Sequence, residues 1–259
     1  MHRRRLLSAI AAGFVTGVAG CSAPRGDAEP AITDVEWLDD DRLDADAIAE
    51  RHATALVDAG SFDLFSTADT DHEGEESPGN WLPSQEYEAA FEAERDRQYL
   101  RQETTDPDER RDVYELYVDD DEAFVRERAG DDVMEDRQRI DRSDEEFRNA
   151  MREESLSGIG GLGGWNMTVA DRSAELDGER TVRLVADEFA GDAGVPESVT
   201  SAEATMHATA EGVVPRLDQR WEGSHRGHGA TVAVDIAFRE VGTTTVTEPE
   251  WVATLRDGS

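Results

Sequence analysis

The chain has 259 residues, 60 of them Asp or Glu against 26 Arg and no lysine, for a formal net charge of −34 at pH 7. That balance excludes nucleic-acid binding, because phosphate contacts draw on a basic stripe and none is present. At ordinary ionic strength so much like charge opposes a compact state, whereas in molar salt the Debye length falls to ~3 Å, so the composition reads as adaptation to high salt.

Met1-His2-Arg3-Arg4-Arg5 precedes the uncharged run Leu6 to Gly20, the layout of an export signal. The run is shorter than the roughly 20 apolar residues that a membrane helix needs, so residues 1–20 are read as a removable signal peptide. Arg3 and Arg4, followed after one residue by Leu6 and Leu7, fit the twin-arginine export pattern. Val18-Ala19-Gly20-Cys21 resembles the lipobox of bacterial and archaeal lipoproteins, and the resemblance implies a lipid thioether on Cys21, the only cysteine of the chain. Lipidation there leaves the mature chain without a disulfide. Residues 21–43 mix Pro24, Gly26 and Pro30 with acids and no sustained period, and read as an acidic tether between lipid and fold.

Residues 44–259 read as one domain. Asp44 is a candidate N-cap, and the spacing predicts a helix over 45–59 with Ile48, His52, Ala55 and Leu56 on one face, ended by Gly60. The period then changes to two at Phe62 and Leu64. Residues 86–102 favour helix by composition but alternate at Tyr87, Ala89, Phe91 and Ala93, and are read as a hairpin. Val113–Val118 is a strand, Asp119-Asp120-Asp121 turns it, and Phe124-Val125 continues on the way back. Ser143 with Glu146 forms a capping-box pattern, and Phe147 with Met151 an i, i+4 apolar pair, so residues 143–155 are a second helix. Beyond it, Trp165, Met167 and Val169 alternate, Asp177-Gly178 signals a turn, and Val182 and Leu184 alternate again. Ala202 to Ala210 put small residues on one face, Glu211-Gly212 follows, Val213–Trp221 returns, and Val232, Val234, Ile236 and Phe238 give the cleanest strand. The map is an α+β domain: helix, about five strands, helix, about five strands, the strands antiparallel and sequential. Leu, Ile, Val and Phe make up only about 19% of the chain, a share that with high net charge signals disorder; five Trp, four Tyr and the alternating segments override it.

No constellation supports catalysis. Gly158 to Trp165 is glycine-rich but lacks the Lys-Ser/Thr pair and flanking elements of a phosphate loop, and reads as a flexible connection or lid hinge. Asp69, Asp71, Glu73 and Gly74 match positions of a calcium loop, but Asn80 stands where the bidentate carboxylate belongs. His225 and His228 lack a third ligand and read as a polar hairpin tip, so no metal site is expected. A nucleophile with its base is absent as a pattern, and no cofactor is implied. Asn166-Met167-Thr168 is the sole glycosylation sequon.

The helix His52-Ala53-Thr54-Ala55-Leu56 running into Ala59-Gly60-Ser61-Phe62, the Tyr117-Val118-Asp119-Asp120 turn and the final Val246-Thr247-Glu248-Pro249-Glu250-Trp251, together with the lipobox and tether, resemble a family of haloarchaeal lipoproteins. The resemblance implies a fold similar to the lipoprotein carriers of bacterial envelopes: a curved, unclosed half-barrel of about ten antiparallel strands with two helices on its concave face. It also implies an anchored protein on the outer face of the cytoplasmic membrane, holding a lipid or other apolar ligand. The alternative expectation is a structural or protein-interaction component of the envelope with a filled core, since the alanines at Ala202–Ala210 permit either an open cavity or tight helix packing.

Overall fold

The computed structural model describes residues 31–72, 83–106, 110–191, 197–225 and 227–258. Two short strands, β1 (Leu38–Asp39) and β2 (Arg42–Leu43), lead into helix α1 (Ala45–Ala59). Asp44 caps α1 by accepting a hydrogen bond from the Ala47 N–H at 3.0 Å. Gly60 ends the helix in the left-handed conformation, φ 74°, with its N–H on the Val57 carbonyl. The chain turns directly into a six-strand meander: β3 (Ser61–His72), β4 (Ser84–Glu92), β5 (Arg97–Thr105), β6 (Arg111–Asp119), β7 (Glu122–Ala129) and β8 (Asp132–Arg139). Helix α2 (Asp144–Ile159) follows, with the Ser143–Glu146 capping box closed in both directions. A five-strand meander comes next, β9 (Thr168–Leu176), β10 (Glu179–Ala186), β11 (Ser198–Ala208), β12 (Arg216–His225) and β13 (His228–Arg239), and the chain closes with helix α3 (Glu250–Asp257).

Every strand pair is antiparallel, and the two meanders fuse where β13 pairs β3 from Arg239↔Asp63 to Ala230↔His72. The result is one open sheet of thirteen strands, ordered β1-β2-β9-β10-β11-β12-β13-β3-β4-β5-β6-β7-β8. Sequence spacing expected about ten strands and two helices. The additional strands are the two-residue pair β1–β2 and the charged edge β8. The hairpin expected over 86–102 is β4–β5, turned at Asp96 with φ 50°.

Period two sorts the strands' side chains onto two faces. Phe62, Leu64, Ala89 and Phe91 point to the same side as Val182, Leu184, Met206, Ala208, Leu217, Ile236 and Phe238, and form one core with Ile48 and Leu56 of α1 and Phe147, Met151 and Ile159 of α2. This is the inner face. The third helix lies on the opposite, outer face, where Val246, Trp251 and Val252 pack on Tyr117 and Phe124 as a second small core. Its approach is pinned by the buried Glu92, whose carboxylate accepts the Val246 N–H at 3.0 Å. Residues Ile32 to Leu43, placed by composition in the tether, belong to the packed body: Trp37 is 1% exposed within the inner core, and Leu43 N–H bonds the Met167 carbonyl.

Candidate functional site

The alanine face of β11 is where sequence spacing left room for a guest, and the structure fills it. Met206 and Ala208 are 0% exposed, as are Ile48, Leu56, Val182 and Leu184 around them, so no water-sized space borders these side chains. His52 of α1 is sealed in the same core. Its Nδ1 accepts the Val214 N–H at 3.1 Å, its ring meets Phe238 edge-on at 4.3 Å, and burial lowers its pKa to about 3.

Farther along the sheet the inner face is left partly open. The cross-strand row Leu64, Ala89, Leu100, Leu116, Val125 runs through β3 to β7 in register. Leu64 and Ala89 are buried under the helices, while Leu100, Leu116 and Val125 are only half-buried and join neither core. The neighbouring row carries Ser66, Tyr87, Gln102 and Tyr114. Helix α2 overhangs its near end, since burial and then the Glu154 carboxylate raise the Tyr87 phenol above its usual range. Arg142, in the connection to α2, borders the other side of the apolar row: its Nη1 donates to Gln98 Oε1 at 2.9 Å, and its guanidinium stacks over Phe147 at 4.4 Å. Burial draws the Arg142 pKa below the usual guanidinium range.

The charge pattern sets this shelf apart. In the four inner registers from Phe62 to Ala68, the strands β3 to β7 carry charge only at Asp112 and Glu127. The outer face of the same strands is charged at Asp63, Glu86, Glu88, Glu92, Arg97, Arg101, Glu103, Glu115, Asp119, Glu122, Arg126 and Arg128. In a chain that is 33% charged, an inner surface almost free of charge from β3 to β7 and half open to solvent is the exception; charge returns on β8, where Asp136 stands opposite Val125. The outer face shows the contrast. A cleft of about 380 Å³ there is lined by Thr67, Asp69, Asp218, Arg220 and Asp235 among others. Burial, together with the neighbouring Asp218, raises the Asp235 pKa in this cleft.

The residues singled out from sequence fall elsewhere. Arg3, Arg4, Leu6, Leu7 and Cys21 lie outside the described residues, as do Glu73, Gly74 and Asn80. Asp69 and Asp71 lie near the end of β3, and among the described residues no group of His, Cys, Asp and Glu is arranged to hold a metal ion. His225 is buried with its Nδ1 3.8 Å from Glu197, while His228, its register partner, is exposed. Asn166 is exposed just before β9. The glycine-rich stretch is not a loose hinge. Gly158, in the last turn of α2, lies against Phe238, where an added Cβ would sit 2.8 Å from the ring, and Leu162–Gly164 form one tight turn leading to Trp165, which packs on Phe189 at 4.9 Å and Trp221 at 5.3 Å.

A family model described as a family of unknown function, DUF7537, matches residues 6–255. The chain belongs to the DUF7537 family. No curated protein matches. Among solved structures, the DUF7537 chain is similar to the one titled crystal structure of MucB in complex with MucA(peri), at 10% identity over 80% of this chain and 99% of that one, with a TM-score of 0.17. At that score the likeness carries no argument. No helix among the described residues of this DUF7537 member is long and apolar enough to cross a membrane.

Proposed function

We propose that this DUF7537 chain is an exported lipoprotein, anchored through Cys21 to the outer face of the cytoplasmic membrane, which holds an acyl chain or other apolar molecule on the inner shelf of β5 to β7. It is a binding module and catalyses nothing. The observation that carries the reading is the half-buried apolar row Leu100, Leu116 and Val125, continuous with the core at one end and bounded at the other by Asp136 of β8. Apolar surface left open beside a packed core is stabilised by about 25 cal/mol for each Å² that a guest removes from water. The site is a shelf under the edge of α2 rather than an enclosed cavity, so it suits a flexible chain lying across strands better than a compact, fully enveloped ligand.

The test is titration of a fluorescent fatty-acid probe into the protein in molar salt. Binding to the native chain, weakened about tenfold or more by Leu116→Glu, which buries a carboxylate under the guest, supports the reading. Equal binding by the variant contradicts it. The second reading, an interaction component with a filled core, is favoured by the closed packing around Met206 and Ala208; it expects no probe uptake by either protein.

A further inference from the structure

The two edges of the sheet differ. One ends in β1, whose two residues offer too little backbone for another strand. The other ends in β8, eight residues long, paired without a register break to β7 from Glu122↔Arg139 to Ala129↔Asp132. Natural edges are blunted by shortness, proline, a bulge or charged side chains; β8 has no proline or bulge, and its protection against other strands lies in its charges, at Asp132, Glu135, Asp136, Arg137 and Arg139. All eight of its residues are exposed, and Met134 and Val133, at 61% and 50%, are the most exposed large apolar side chains among the described residues.

The charges on β8 are sorted along the strand. Its first part is acidic, at Asp132, Glu135 and Asp136, and its last part basic, at Arg137 and Arg139. Laid antiparallel against itself, such a strand sets acidic half against basic half in both directions; laid parallel, it sets like against like. We propose that β8 is a self-recognition edge, through which a second copy of this chain adds across a two-fold axis to continue the sheet.

An axis normal to the sheet reverses the strand and keeps each face on its own side, so inner residues meet inner residues. With Arg137 on the axis, Glu135 stands opposite Arg139 of the second copy on the outer face. On the inner face Met134 stands opposite Ile140 of the second copy, which covers the exposed thioether. Each of these contacts occurs twice, while Arg137 meets itself once on the axis, a like pair that molar salt screens. Pairing along one strand buries a narrow strip, below the area of a standard stable interface, so the dimer is concentration-dependent, and salt that screens the net charge of −34 on each copy favours it.

The experiment is sedimentation equilibrium of the full chain in molar salt over a range of concentrations, for the native protein, Glu135→Arg, Arg139→Glu and the double variant, each checked for native circular dichroism. A reversible monomer–dimer equilibrium is expected, with the dissociation constant raised roughly tenfold or more by each single reversal, since two cross-strand pairs become repulsive at once. The double variant restores dimerisation. Within one copy Glu135 pairs with Arg126 at 3.4 Å and Arg139 with Asp121 at 2.6 Å. The double reversal leaves both of those contacts reversed, so rescue reports the contact between copies alone. A native protein that stays monomeric at every concentration, a dimer indifferent to the single reversals, or a double variant without rescue overturns the proposal.

Discussion

Lowering the pH from 7 to 5 tests the sealed core through one side chain. His52 is neutral in the folded state because burial lowers its pKa to about 3, while in the unfolded chain it titrates near the ordinary value of about 6.5. The unfolded state therefore takes up a proton as the pH falls through 6.5 and the folded state does not, so acid favours unfolding, and the effect grows until the folded pKa is reached. Linkage between those two values gives a loss of about 2 kcal/mol from pH 7 to pH 5 and about 3 kcal/mol by pH 4. The many carboxylates titrate in the same region, so the quantity to measure is a difference. Urea unfolding of the native chain and of His52→Leu is followed at fixed molar salt across this range. The variant is less stable at pH 7, since the Val214 N–H loses its acceptor, but the gap closes by about 2 kcal/mol on going to pH 5. A gap that stays constant or widens on acidification refutes a neutral, buried His52.

Three further outcomes follow from the same account. Glu92→Ala leaves the Val246 N–H without its buried acceptor, so stability falls by about 1–3 kcal/mol and the segment from Val246 to Asp257 becomes sensitive to protease; unchanged urea midpoint and cleavage rate count against the strap on the outer face. Cys21→Ser moves the protein from the membrane fraction to the medium if the anchor is the lipidated thiol, and retention in membranes contradicts that anchor. Dialysis from molar salt to low salt removes the screening on a net charge of −34, and the circular dichroism of the sheet collapses; an unchanged spectrum argues against salt adaptation.

Sequence spacing made visible those elements whose side chains alternate between core and solvent. Asp44 and Gly60 bracket α1, the Ser143–Glu146 box starts α2, and Tyr87, Ala89, Phe91 and Ala93 announce a hairpin despite a helix-forming composition. β8 stayed hidden because neither of its faces is buried: Asp-Val-Met-Glu-Asp-Arg-Gln-Arg is held by backbone pairing to β7 rather than by an apolar stripe. Helix α3 stayed hidden because it is eight residues long, has no side-chain cap at Pro249, and is anchored by Trp251 and Val252 through contacts distant in sequence. The shelf was half legible. Leucines and tyrosines alternating with charges at Leu100, Gln102, Tyr114 and Leu116 are readable as an uncharged face, but which part of it the helices cover depends on the β13–β3 seam, a pairing of residues more than 150 positions apart.

Organic extraction of the protein, purified without detergent in molar salt, with mass spectrometry of the extract, addresses the proposed function most directly. The account expects an apolar, acyl-bearing molecule in near-equimolar amount from the native chain and little from Leu116→Glu. An empty native protein that also takes up no acyl probe contradicts it, and leaves the chain as an interaction component whose inner face is closed by its own side chains.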